Sequence, residues 1–196
     1  MGGMNTPGES QGHTLGIEES WRRERPDLDL GDFLLAIYVM RLGRILDDSY
    51  DRMCRKRFGI SGADMRVIFA LRRAGKPYVR RPMALFRALL VTSGAMTKQV
   101  DRLVEFGLVE RLAGPRKTGG VQLTAKGLKV ADAAAEMMST QSPLRPGVRH
   151  LTSSQRAHGE LFVRAVLQGL EATELESEGK KGPASPAKTL TRRARA

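Results

Sequence analysis

The stretch from Arg81 to Glu105, RPMALFRALLVTSGAMTKQVDRLVE, decides the fold. Pro82 suits the first position of a helix, where its missing N–H costs nothing. Met83, Leu85, Phe86, Leu89 and Leu90 supply the apolar face that follows. Thr92 and Ser93 are residue types that cap a helix N-terminus. After them Met96, Val100, Leu103 and Val104 recur at helical spacing and are expected to hold a second helix to the core. Two short helices, Arg81–Leu90 and Ser93–Glu105, thus meet across a turn of a few residues, which is the pattern of a helix-turn-helix.

Working outward, Phe106-Gly107 ends the second helix, and Leu108-Val109-Glu110-Arg111-Leu112 alternates as a strand. Ala113 to Gly120 is a Gly/Pro/Lys turn, and Val121-Gln122-Leu123 is the return strand. A hairpin directly behind a helix-turn-helix makes the winged version. Thr124 caps a further helix through about Met138. On the other side, Phe33, Ile37, Met40, Leu46, Tyr50, Met53 and Phe58 mark a long amphipathic helix that Gly59 stops. Ser61 with Asp64 caps the next helix, which carries Met65, Ile68, Phe69 and Leu71 and stops at Gly75. Lys76-Pro77-Tyr78 reads as a connector. Ile17 to Arg25 forms a short helix carrying Trp21, ended by Pro26. Ser142-Pro143 and Pro146-Gly147 break the chain before a last helix from Ser153 or Ser154 to near Leu175.

The expected fold is therefore mostly α with a small β-hairpin wing: a winged helix-turn-helix with six main helices and a short N-terminal one. Residues 1–16 and 176–196 are expected to be disordered tails. Residues 17–175 form one domain, in which 61–127 is the winged lobe and 17–58 and 128–175 supply the remaining helices.

Charge gives the partner class. The 196 residues carry 33 Lys+Arg against 21 Asp+Glu, a formal net charge of +12. Residues 1–32 are net −4 and residues 171–196 net +2, so the interval 33–170 holds +14. Within it, 72–130 has 13 basic and 3 acidic residues. Basic residues concentrated in a folded segment suit double-stranded DNA, with a solvated face kept for solubility as the alternative that charge alone leaves open. The first turn of Ser93–Glu105 is small and polar. Ser93, Gly94 and Ala95 let the backbone approach base edges. Thr92, Ser93 and Thr97 offer hydroxyls, and Lys98 and Arg102 offer cations for phosphate or guanine. Arg116 and Lys117 at the hairpin turn are placed to meet phosphates of a neighbouring minor groove.

These residues carry a resemblance. Thr92-Ser93-Gly94-Ala95-Met96-Thr97-Lys98 with Asp101-Arg102-Leu103, then Gly107-Leu108-Val109-Glu110-Arg111 and Leu123-Thr124-Ala125-Lys126-Gly127, resemble MarR-family transcriptional regulators over about Trp21 to Leu175. The resemblance implies an obligate homodimer joined through 17–58 and 128–175, a winged helix per subunit, pseudo-palindromic operator DNA, and an effector that releases it. Trp21-Arg22-Arg23-Glu24-Arg25-Pro26-Asp27-Leu28-Asp29 is similar to the extra segment of the family's urate-responsive branch. That likeness implies an effector site near Trp21, Asp64, Arg66 and Arg81. Arg66 stands where the branch carries an Asp. Asp64, two residues earlier, is turned about 200° away on a helix. The implied effector is therefore a small anionic or aromatic molecule, with urate itself not indicated. The wing lacks the family's usual Asp-Arg-Arg run, which leaves Arg116 and Lys117 as simple phosphate contacts.

Other readings stay open at this level. Cys54 lies among Arg52, Arg55, Lys56 and Arg57, which favours a reactive thiolate and a redox switch. The preferred reading is nevertheless a structural cysteine of a dimer helix. For Trp21 the preferred reading is a packing residue that buries the N-terminal segment. One cysteine and scattered His13, His150 and His158 argue against a metal site, and no cofactor is implied. No nucleophile-and-base or paired-acid arrangement points to an enzyme. With no export signal and no run of apolar residues long enough to span a bilayer, a cytoplasmic protein without a membrane partner is expected. A sequence-nonspecific DNA-coating protein, helped by Lys180-Lys181 and Arg192-Arg193, and a winged-helix protein-interaction module are the alternatives.

Overall fold

The computed structural model describes residues 7–114 and 119–180, without side-chain detail at 7–15 and 174–180. The described residues fall into two compact units, divided between Arg145 and Pro146. The break falls at the Pro- and Gly-containing segment between the last two long helices.

The first unit begins with α1 (Pro7–Glu24) and α2 (Gly31–Phe58). α1 starts at Pro7 rather than at Ile17, which corrects the expectation of a disordered tail through residue 16. Gly8, Gly12 and Gly16 read locally as loop formers, yet the helix continues through them, and Pro7 occupies its tolerated first position. Trp21 of α1 meets Phe33 of α2 edge to face, ring centroids 4.9 Å apart. α2 ends as its sequence dictates. Gly59 takes φ 72° and its N–H donates to the Arg55 carbonyl at 3.0 Å, with Arg55, Lys56 and Arg57 near the negative end of the helix dipole.

α3 (Gly62–Arg72) is the centre of the unit. Ser61 Oγ accepts from the Asp64 N–H at 3.1 Å and caps it. Met65, Val67, Ile68, Ala70 and Leu71 are all buried, so the helix is covered on nearly every side. It touches α2, α4 (Pro82–Ala88), α5 (Ser93–Glu105), α6 (Ala125–Gln141) and the sheet. Gly62 permits the closest approach. A Cβ there would lie 2.9 Å from Tyr50 Cδ1 and 3.1 Å from the Asp51 Cα, and the Gly62 N–H donates to Asp51 Oδ1 at 2.8 Å.

The wing is larger than expected. β1 (Val79–Arg80), β2 (Val109–Arg111) and β3 (Val121–Leu123) form an antiparallel sheet in the order β1-β3-β2. Val79 pairs with Gln122, and Val109 with Leu123. The segment read as a plain connector thus feeds a third strand. Two residues are too few to show alternation in sequence. The strand is completed by non-local bonds: the Leu123 N–H donates to the Tyr78 carbonyl at 3.2 Å, and Gln122 Nε2 to the Pro77 carbonyl at 2.8 Å.

The start of α6 fastens the wing to α5. Thr124 Oγ1 accepts from the Gly127 N–H at 3.0 Å and donates to the Gly107 carbonyl at 2.8 Å. Lys126 Nζ donates to the Phe106 carbonyl at 2.8 Å, at the C-terminal end of α5. A Cβ on Gly127 would come within 1.9 Å of the Leu108 carbonyl oxygen. The motif Leu123-Thr124-Ala125-Lys126-Gly127 is therefore a structural clasp.

The second unit holds α8 (Ser153–Lys180), which continues past Leu175 to Lys180; the single turn α7 (Arg145–Val148), not expected from sequence, spans the boundary. Gly127→Ala is expected to lower the unfolding free energy by about 1–3 kcal/mol, because backbone must move to admit the methyl group. Urea denaturation with an unchanged midpoint would contradict that clasp.

Candidate nucleic-acid interface

Thr92 is the N-cap of α5, with Oγ1 accepting from the Ala95 N–H at 3.2 Å. Thr97 Oγ1 donates back to the Ser93 carbonyl at 3.0 Å. Thr92, Ser93, Gly94, Thr97 and Lys98 are exposed, and Ala95 is half-buried. A Cβ on Gly94 would meet nothing within 4 Å, so packing does not demand a glycine there. The first turns of α5 thus form a narrow, uncrowded ridge. Its buried face is Met96, Gln99, Val100 and Leu103. Val104, expected in that face, is exposed instead, and Gln99 takes a buried place that a polar residue does not announce. The Gln99 Oε1 has no hydrogen-bond partner among the described residues.

Arg102 corrects the sequence reading. Its guanidinium turns inward onto Asp64 of α3, with Nη2 donating to Oδ1 at 2.6 Å and Nε to Oδ2 at 3.3 Å. The Asp64 side chain is 3% exposed and that of Arg102 45%. Asp64 also receives the Ser61 hydroxyl at 2.6 Å. The hydrogen bond that Arg102 donates to the Asp64 carboxylate pushes the Arg102 pKa up from its ordinary value. Arg102 therefore fastens α5 to α3, and its two carboxylate-facing nitrogens are not free for phosphate. Asp64 is equally committed, buried against the Arg102 guanidinium and the Ser61 hydroxyl rather than facing an effector. The spacing of 38 residues between the partners hides this pair from any local motif.

The free cations lie elsewhere. Arg80 of β1, Arg81 at the N-cap of α4, Arg87 of α4 and Lys98 of α5 are exposed, and no salt bridge is formed by them among the described residues. By contrast, Arg111 of β2 is tied to Asp101 of α5 at 2.6 Å. Arg116 and Lys117 lie outside the described residues.

The expected effector residues do not converge. Trp21 packs on Phe33, which is the packing alternative. Arg22 is paired with Glu18, Arg23 with Glu24 and Arg25 with Asp27, so the cations of that segment are neutralised locally. Arg81 caps α4, and Asp64 faces Arg102. Arg66 lines a cavity. It pairs with Asp47 and lies 5.5 Å over the Tyr50 ring. That cavity, of about 820 Å³, is bounded by Met40, Arg44 and Tyr50 of α2, Arg66 and Phe69 of α3, and Met138 of α6.

Cys54 is fully buried at 0% exposure, and burial raises its thiol pKa, outweighing the hydrogen bond from Tyr50. The Arg and Lys residues beside it in sequence point to solvent and do not activate it. This sets aside the redox alternative and agrees with the structural cysteine. Among the described residues, no group of three His, Cys, Asp or Glu side chains is gathered to hold a metal ion. Among the described residues, no helix is long and apolar enough to cross a membrane.

Comparison with known proteins follows the same lines. A family model described as the MarR family matches residues 58–117. The HTH-type transcriptional regulator PecS of Dickeya dadantii (strain 3937) is 30% identical over 122 residues, which are 61% of this chain and 73% of PecS. The multiple antibiotic resistance protein MarR of Escherichia coli (strain K12) is 28% identical over 137 residues, 66% of this chain and 92% of that protein. A cysteine-to-serine mutant of the E. coli MarR, crystallised with operator DNA, matches with a TM-score of 0.55 at 30% identity, covering 71% of this chain and 99% of that one. A regulator of the same family from Streptomyces coelicolor, crystallised with DNA, shares the fold at a TM-score of 0.62 and 23% identity, over 73% of this chain and 89% of that one.

Two outcomes check these assignments. Arg102→Ala is expected to lower stability by about 1–3 kcal/mol, because the Asp64 carboxylate stays buried without its cation. An unchanged unfolding midpoint would remove the pair from the structural account. Cys54 is expected to react with a thiol reagent only at the rate of unfolding. Rapid modification of the native protein would restore the redox reading.

Proposed function

Because the chain belongs to the MarR family of transcription regulators, we propose that it is a repressor that binds a pseudo-palindromic operator as a homodimer and is released by a small anionic or aromatic effector. The observation that carries the DNA reading is the exposed first half of α5. It presents Ser93, Gly94, Thr97 and Lys98 on a helix whose other face is buried in the core. A helix so mounted fits the major groove, with Ser93 and Thr97 near base edges and Lys98 within reach of guanine or phosphate. Arg80, Arg81 and Arg87 add cations for the backbone on either side. Arg116 and Lys117 belong to the same reading as phosphate contacts of the wing turn.

Dimerisation is supported by apolar rows that each unit leaves in solvent. α2 exposes Phe33, Leu35, Val39, Leu42 and Ile45, and α8 exposes Leu161, Phe162, Val163, Leu167 and Leu170. Patches of this kind mark protein–protein contacts, and two-fold pairing is the commonest closed arrangement. Two α5 helices related by such an axis would enter major grooves about 34 Å apart on one face of the duplex.

The effector reading rests on the cavity between α2, α3 and α6. Its volume lies in the range of small-molecule sites. Tyr50, Phe69, Met40 and Met138 suit an aromatic ring, while Arg44 and Arg66, paired with Asp48 and with the cavity-lining Asp47, would take an anion by exchanging those partners for it. An effector bound more tightly by a dimer with splayed lobes would shift the population away from the DNA-competent state.

The test is a footprint on DNA flanking the protein's own gene, at physiological salt with excess competitor. One protected, two-fold symmetric pair of half-sites is expected. Uniform protection that competitor abolishes would favour the DNA-coating alternative, and no protection would favour a protein-interaction module. Lys98→Ala and Ser93→Ala are expected to change operator preference by about 1–3 kcal/mol where those side chains touch bases. Equal affinity across operator variants would take them out of the recognition surface.

A further inference from the structure

Leu90, in the turn between α4 and α5, is the most exposed large apolar side chain among the described residues, at 77%. It is also held at φ +52°. That region favours glycine, because a side chain there brings Cβ against the following carbonyl oxygen. The backbone requirement is clear. α4 closes with a left-handed cap in which the Leu90 N–H donates to the Arg87 carbonyl at 3.3 Å and the Val91 N–H to the Phe86 carbonyl at 3.2 Å. Glycine, or sometimes asparagine, is the usual residue at the left-handed position of this cap.

Leucine at this position has no compensation inside the fold. Its neighbours Leu89 and Val91 both pack against the core cluster, whereas Leu90 does not. Strained residues cluster at binding sites, ligand clamps and switch regions. Leu90 stands two residues ahead of Thr92, the cap of α5, on the same end as exposed Ser93 and Gly94. Arg87, an exposed cation outside every salt bridge of the described residues, precedes it by three. The exposed residues that flank Leu90 in the chain thus include Arg87, Thr92, Ser93 and Gly94 of the surface assigned to DNA.

We propose that Leu90 is an apolar contact to the operator duplex, packing on deoxyribose and thymine-methyl surface at the edge of the groove that α5 enters. This rests on the DNA reading of α5. It identifies a recognition residue that carries neither charge nor hydrogen-bonding group, kept at the expense of local backbone comfort.

Leu90→Gly, Leu90→Asn and Leu90→Met test it, with a duplex spanning the wild-type footprint as probe. The glycine and asparagine variants are expected to melt no lower than wild type, and up to about 2 °C higher. Their affinity for the duplex should fall about fivefold. The slope of log K against log salt should not change, because Leu90 neutralises no phosphate. Leu90→Met should retain affinity within about twofold, since it keeps a flexible apolar surface of similar size. Wild-type affinity in both the glycine and asparagine variants would overturn the proposal. So would a fall of several degrees in their melting temperature, which would assign Leu90 to the fold, or an altered salt slope, which would assign the loss to a displaced cation. If the wild-type protein protects no discrete site, the DNA reading of α5 fails and Leu90 with it. If wild type binds and the variants bind equally, Leu90 alone is wrong.

Discussion

The rest of the first unit depends on covering α3. A helix with Met65, Val67, Ile68, Ala70 and Leu71 all buried cannot lie on a surface with one wet side. It must be enclosed by partners, and α2, α4, α5, α6 and β3 supply the enclosure. Within that shell sits one carboxylate, Asp64, which removal from water would penalise heavily if it stood alone. The Arg102 guanidinium and the Ser61 hydroxyl answer it. The position of α5 is therefore set twice, by apolar burial of Met96, Val100 and Leu103 and by an ion pair whose geometry tolerates little rotation.

The same economy explains which face of α5 remains outside. Once Met96, Gln99, Val100 and Leu103 point inward, the 3.6-residue period leaves Ser93, Gly94, Thr97, Lys98 and Asp101 outward. Thr124, Lys126 and Gly127 then hold the C-terminal end of α5 and the root of the wing in one rigid junction. A rigid mount is what base recognition needs, because a hydrogen bond to a base edge is lost with an ångström of play.

Much of the fold is legible in the chain because its punctuation is local. Ser61, Thr92 and Thr124 each cap the helix that follows, using a side chain to satisfy an N–H three residues on. Gly59 and Gly107 take the positive φ that a helix stop requires. These bonds need no partner distant in sequence, so residue type and spacing suffice. β1 was not legible, because a two-residue strand exists only through its pairing with β3. The extent of α1 was missed for the opposite reason: its glycines carry a local loop preference that the longer helix overrides.

The candidate site divides along the same line. Sequence alone determined the helix-turn-helix, the small polar opening of α5, the hairpin behind it and the concentration of positive charge, all set by residue identity over short intervals. Tertiary structure decided which of those residues are available. Arg102 is consumed by a carboxylate 38 residues away, Cys54 is sealed in the core despite four basic neighbours in sequence, and Trp21, Asp64 and Arg81 are taken up separately, by Phe33, by Arg102 and by the N-cap position of α4. The physical reason is that availability of a charged or reactive group depends on what lies across from it in space. Desolvation and pairing act over a few ångströms, and a linear chain does not show which distant residue will come within that range.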